Sequence, residues 1–267
     1  MTTEYSGRGD PARSMALLWG TQKSPTRGPK PGLSVQQIAD TAIQVADAEG
    51  LAALSMRRVA VELGVGTMSL YTYVPGKAEL LDVMLDTVLG EVARPDGVAG
   101  GWRAKLEAYA RELWAHYHRH PWVLGVSGVR ALLGPNETAL FEATLQAVSG
   151  IGLSGREMLH VVTLVGEFVR GAAQRAVEAA QAAQHTGVTD QQWWADREPI
   201  FEKYFDASRY PTLVSLDREG AFQQPAGGLD YNLQNAVDSF EFGLRRVLDG
   251  IQTFVQEHPG ATSPPRG

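Results

Sequence analysis

The sequence predicts an all-α protein in two parts, a small N-terminal set of short helices and a larger helical domain. Three observations predict it. Apolar residues recur at helical spacing almost throughout the chain. No run of strand-like alternation has a useful length, and there is no internal repeat. The 267 residues, 44 % apolar and 20 % charged, supply enough apolar surface for a packed core.

Residues 1–32 are rich in Gly, Pro, Ser, Thr and Arg and read as a flexible basic arm. The first helix is expected from Ser34, because Ser34 and Gln37 form a capping box and Leu33 can staple onto Ile38. Val35, Ile38, Ala42 and Val45 give it one apolar face, and Gly50 stops it. Two short helices follow, Ser55 to Leu63 and Thr67 to Val74, joined through Gly64-Val65-Gly66. A fourth carries Leu80, Leu81, Met84, Leu85 and Val88. The Pro/Gly-rich stretch 95–101 marks a boundary between domains at 33–94 and 101–256. Beyond it, helices are expected at about 102–119, 121–133, 136–150, 155–183, 190–204 and 230–256, with an irregular stretch at 206–228 and a flexible tail at 257–267.

Zero cysteines exclude disulfide scaffolds, cysteine-based zinc sites and thiol catalysis. No signal-peptide pattern and no apolar run near 18 residues is found, so a cytoplasmic protein without membrane contact is expected. The net charge of −6 argues against a polyanion partner, but its distribution moderates that. Five basic residues stand against two acidic ones in 1–33, the first 82 residues are neutral, and the rest of the chain holds the whole deficit. Arg27, beside Gly28-Pro29-Lys30, could enter a narrow minor groove or belong to a solvated tail.

Two short helices joined by a Gly-containing turn, behind a longer first helix, have the form of a helix-turn-helix. At 100° per residue, Leu70 and Val74 face inward and Met68 and Thr72 outward, with Ser69 and Tyr71 flanking them and Thr67 and Tyr73 at the edges. Hydroxyls suit phosphates and bases, and Met68 could meet a thymine methyl. Any helical hairpin in an α-bundle could carry the same pattern.

The wording of Leu33–Asp82 resembles the DNA-binding domain of the tetracycline-repressor (TetR) family. The matching runs are Ile38-Ala39, Ala46-Asp47-Ala48-Glu49-Gly50-Leu51, Ser55 to Ala60, Leu63-Gly64-Val65 and, most densely, Met68 to Leu81. Trp102, His120-Pro121-Trp122, Gly134-Pro135-Asn136, Gly152-Leu153-Ser154, Tyr210-Pro211 and Phe240 to Leu244 resemble the family's C-terminal domain. The resemblance implies a dimeric repressor of double-stranded operator DNA, released by a small-molecule effector. It carries DNA contacts onto Arg57, Thr67, Met68, Ser69, Tyr71 and Tyr73, with Lys77 as a phosphate ligand. Tyr71 and Tyr73 could instead pack partly on the first helix, and Arg58 reads as a solvated charge.

Residues 102–256 are numerous enough to hold a pocket. The aromatic cluster Trp114, Tyr117, Trp122, Phe141 and Phe168 could line it, or could be core. Glu112, His116 and His120 recur every four residues and could bind metal, but Pro121 places His120 at a helix end, where it would satisfy terminal carbonyls. His116 is a candidate effector contact, and no metal or cofactor is expected. No phosphate loop, nucleophile elbow or metalloprotease motif occurs, so an enzyme is not expected. Leu233, Val237, Phe240, Leu244, Val247, Ile251 and Phe254 form a heptad seam, and Ala236, Gly243 and Gly250 a small-residue stripe. Together with the small residues of helix 155–183 they predict a homodimer interface through Ala236, Gly243, Val247 and Gly250, or else packing within one chain. The alternative function is a small-molecule binder or metal sensor with degenerate DNA binding.

Overall fold

A computed structural model describes residues 4–21, 33–223 and 231–257. The helix capped by Ser34 is α2, Val35–Glu49; Gln37 N–H donates to Ser34 Oγ at 3.1 Å. Preceding it are a two-residue strand β1, Glu4–Tyr5, and a helix α1, Pro11–Leu18, capped by Asp10 with Pro11 in its first turn. Then come α3 (Met56–Glu62), α4 (Thr67–Leu70), α5 (Lys77–Leu89), α6 (Trp102–Arg119), a 3₁₀ turn at Pro121–Gly125 and the strand β2, Val126–Ser127. The remaining helices are α7 (Pro135–Ala147), α8 (Gly155–Thr186), α9 (Asp190–Phe201), α10 (Pro211–Arg218) and α11 (Tyr231–Glu257).

The all-α expectation holds, apart from the parallel pair of β1 on β2. Three local expectations are corrected. Part of the arm at 1–32 is built structure, because β1 is paired and α1 packs its Leu17 against Ala39 of α2 and Val83 of α5. The helix expected at 121–133 is only the 3₁₀ turn and β2, and the irregular stretch after 206 contains α10. Arg27 lies outside the described residues.

Two compact units divide the chain, residues 1–170 with 246–267, and residues 171–245. The first contains both sides of the Pro95–Gly97 turn, whose Pro95 is buried. Its framework is α5, nearly every residue of which is covered. Glu79, Asp82 and Asp86 of α5 are buried at spacings of three and four, and all three accept hydrogen bonds. Asp86 accepts the Asn136 and Glu137 amides at 3.1 and 2.9 Å, capping α7. Gly134 is required there, because a Cβ would run into the Asp86 carboxylate. In the second unit, α9 and α10 bury no residue, and Trp193, Trp194, Tyr204 and Tyr210 are exposed.

Candidate nucleic-acid interface and ligand cavity

The helix-turn-helix is built as its sequence dictates. Ser55 Oγ accepts the Arg58 amide at 3.1 Å and starts α3. Gly64 turns the chain at φ +66°, a left-handed conformation that glycine adopts without strain. The expected helix 67–74 is one α-helical turn, continued to Val74 by further turn hydrogen bonds. Leu70 and Val74 are fully buried, whereas Met68 is 78 % and Tyr71 44 % exposed. Ser69 and Thr72 are exposed beside them, and Thr67 and Tyr73 are half-buried at the edges. Arg57 is exposed near the start of α3, and Lys77 opens α5. Arg58 is not a merely solvated charge: it pairs with Glu49 at 2.6 Å and Glu62 at 2.7 Å, clamping the end of α2 to α3.

A second feature of the first unit is a cavity of about 380 Å³. Tyr109, Leu113 and Tyr117 of α6 line it, together with Leu140, Phe141 and Thr144 of α7 and Val162, Gly166 and Arg170 of α8. Val126 and Ser127 contribute from β2, Ser6 from just after β1, and Leu85 and Leu89 from α5. The size suits a drug-sized or metabolite ligand. Burial pushes the Tyr109 and Tyr117 phenols up, so both stay protonated donors at neutral pH; for Tyr117 the nearby Arg170 partly opposes this. Arg170 donates to the Leu124 and Val126 carbonyls at 2.8 Å each and so fixes the wall. Gly166 faces open space where a Cβ would stand, so its small size enlarges the cavity and does not serve close helix packing.

Of the expected pocket residues, the cavity takes Tyr117 and Phe141. Trp114, His116, Trp122 and Phe168 do not line it. Trp114 lies a third of a turn from the Leu113 face and packs its ring on His118 at 4.5 Å. His116 is buried in the core with neither ring nitrogen hydrogen-bonded, and burial lowers its pKa to about 4. Trp122 and His120 belong to a different structure. Asp47 of α2 accepts from Trp122 Nε1 at 2.8 Å and lies 2.8 Å from His120 Nδ1, while His120 Nε2 is 3.0 Å from Glu91. This node ties α2 to the end of α6. His120 is the C-cap of α6 through its backbone N–H, as its place before Pro121 suggests, but its ring bridges two carboxylates and does not reach the helix carbonyls; no metal-binding cluster occurs among the described residues.

On α11 the inward face is Ala236, Phe240, Leu244, Leu248 and Ile251. Ala236 is thus core and not part of an outward stripe. Gly243 and Val247 are half-buried, and Gly250 is exposed with open space at its Cβ position. No helix among the described residues is long and apolar enough to cross a membrane.

Two family models match. "Bacterial regulatory proteins, tetR family" covers residues 38–84, and "Tetracyclin repressor-like, C-terminal domain" covers residues 94–255. The HTH-type transcriptional repressor DrrR1 of Streptomyces coeruleorubidus is 45 % identical over 264 residues, 98 % of this chain and 93 % of that protein. The crystal structure of apo ActR from Streptomyces coelicolor is similar at 30 % identity and a TM-score of 0.64, covering 86 % of this chain and 99 % of that one. ActR in complex with actinorhodin matches at 31 % identity and the same TM-score of 0.64, covering 85 % and 99 %. The helix-turn-helix and the helical domain behind it are therefore those of a transcriptional repressor, and the chain belongs to the TetR family.

Proposed function

We propose that this repressor binds a palindromic operator as a homodimer in the cytoplasm and releases it when a small, largely apolar compound enters the cavity. The observation that carries the reading is the presence, in one compact unit, of an exposed polar recognition surface and a cavity that share α5 as a wall and support. Arg57 and Lys77 would take phosphates, and Thr67, Met68, Ser69, Tyr71, Thr72 and Tyr73 would face the groove. The effector would be largely apolar, with one or two polar groups for Tyr109, Tyr117, Thr144 or Ser127. ActR, solved with actinorhodin, supports that class.

The homodimer reading is supported by large apolar side chains exposed on α8, Leu159 and Leu164. Open space beside Gly171 and Gly250 would admit a partner's backbone. Two-fold symmetry would set the recognition helices roughly one DNA turn, about 34 Å, apart or more on a longer site. Gly250→Leu should yield monomers by sedimentation that keep their helical circular dichroism.

The test is to select an operator from random-sequence DNA with the full chain, then titrate actinorhodin against the complex by fluorescence anisotropy. Selection of a palindrome and its release by actinorhodin are the expected results. Failure to select any sequence would favour a ligand-binding protein without operator recognition. A selected operator that actinorhodin does not release would refute this effector class.

A further inference from the structure

The segment from Glu4 to Trp19 precedes both family-matched regions, yet it is built into the cavity and into the DNA-binding unit together. At the cavity, β1 pairs with β2 in the register Glu4 to Val126 and Tyr5 to Ser127, and Ser6 itself lines the wall. At its other end, Trp19 Nε1 donates to the Leu133 carbonyl at 2.9 Å, next to the cavity residue Leu132. Between these ends the segment is fastened to α5. Asp82 accepts the Gly7 amide at 2.9 Å and Ser14 Oγ at 3.1 Å, and Glu79 accepts the Asp10 amide at 3.2 Å. Both carboxylates are buried, so removing their donors would leave uncompensated polar groups. Gly9 lies so close that a Cβ would strike the Glu79 carboxylate. Leu17 packs on Ala39 and Val83, and Glu4 lies 3.8 Å from Lys77 at the start of α5.

We propose that residues Glu4–Trp19 form a working wall of the effector cavity, and that a bound effector acts on the DNA-binding helices by shifting this segment on α5. The proposal rests on the effector reading above. A ligand alters DNA affinity only through different contacts in the two states, and this segment, like α5 itself, both borders the cavity and packs on α2. A ligand that crowds Ser6 and Ser127 would displace β1, loosen the donors on Asp82 and Glu79, and move α5 against α2.

Two measurements decide it. The chain has no cysteine, so Tyr5→Cys with Ser127→Cys, placed at paired positions, can form only the cross-link between them within a chain. Oxidised, this full-length variant should bind the selected operator within about twofold of its own reduced form but need at least about tenfold more actinorhodin for release than that reduced form, so the loss of the Ser127 side chain cancels from the comparison. Release of the oxidised protein at the concentration that releases its reduced form would overturn the proposal. The second measurement uses no ligand. In Leu17→Ala, amide hydrogen exchange should speed up together in Ser6–Gly7, Val126–Ser127 and Lys77–Leu89. Faster exchange confined to the neighbourhood of Leu17 would show that the segment does not couple wall to helix. If actinorhodin fails to release even the wild-type chain, the effector class is wrong, and the exchange experiment still decides the coupling.

Discussion

The recognition surface and the cavity lie in the same unit and carry their chemistry in opposite ways. The first is a short stretch, Thr67 to Tyr73, whose outward residues follow from the burial of two neighbours, Leu70 and Val74. The second is concave, assembled from α5, α6, α7, α8, β2 and Ser6 of the segment before α2. A convex surface on a helix can be altered one residue at a time with little effect on folding. A concave wall is also core, so its residues serve stability and binding together. The contrast predicts that substitutions on the recognition surface separate function from stability, while those inside the unit do so only where space already exists.

The largest expected effect is at the node that ties α2, behind the recognition surface, to the end of α6, one wall of the cavity. Asp47→Ala strips a partner from both His120 and Trp122, which are 4 % and 5 % exposed. Orphaning two buried polar groups should cost about 3 kcal/mol in urea unfolding. Unchanged stability would mean that the two domains do not depend on this link.

His116 provides the next effect. Its pKa of about 4 in the folded chain lies below the ordinary 6.5, because burial disfavours the charged ring. The folded chain therefore binds fewer protons than the unfolded chain across that window. Stability is fully present above about pH 6.5 and falls as the pH is lowered towards 4, with about 2 kcal/mol lost by pH 5. His116→Leu should flatten that loss in thermal melts at pH 7 and pH 5. An equal loss in both proteins would place the acid sensitivity elsewhere.

On the convex side, Arg57→Ala and Lys77→Ala should each weaken operator binding by about tenfold and reduce the salt slope, without moving the melting temperature. A lowered melting temperature in Lys77→Ala would show that its contact with Glu4 matters more to the fold than to DNA.

The same contrast explains how much was legible in advance. The helix-turn-helix could be read from local signals: the Ser34 and Ser55 caps, Gly64 in its turn, and the inward pair Leu70 and Val74. Six aromatic or histidine side chains were expected in the pocket, but only Tyr117 and Phe141 are there. The α6 face that matters is Tyr109, Leu113 and Tyr117, four residues apart, and Trp114 stands one position off it. Trp122 and His120 resembled pocket residues because nothing local reveals that Asp47, more than seventy positions earlier, is their partner. The segment at 4–19 was hidden for the same reason. The composition of residues 1–32, rich in Gly, Pro, Ser, Thr and Arg, suggests an arm, and the order of 4–19 comes from Glu79 and Asp82, which lie far along the chain. Three acids at 79, 82 and 86 on a helix that is otherwise buried were the available signal.

The most direct measurement of the central claim compares two variants on one operator and one ligand. Tyr71→Ala alters the convex surface, and Gly166→Leu fills open space in the cavity. Operator affinity and actinorhodin affinity are measured for both by anisotropy and by intrinsic fluorescence. The account predicts that Tyr71→Ala loses operator affinity by about tenfold and binds actinorhodin normally, while Gly166→Leu binds operator normally and loses actinorhodin by at least about tenfold. Loss of both activities in both variants, with folding intact, would contradict it.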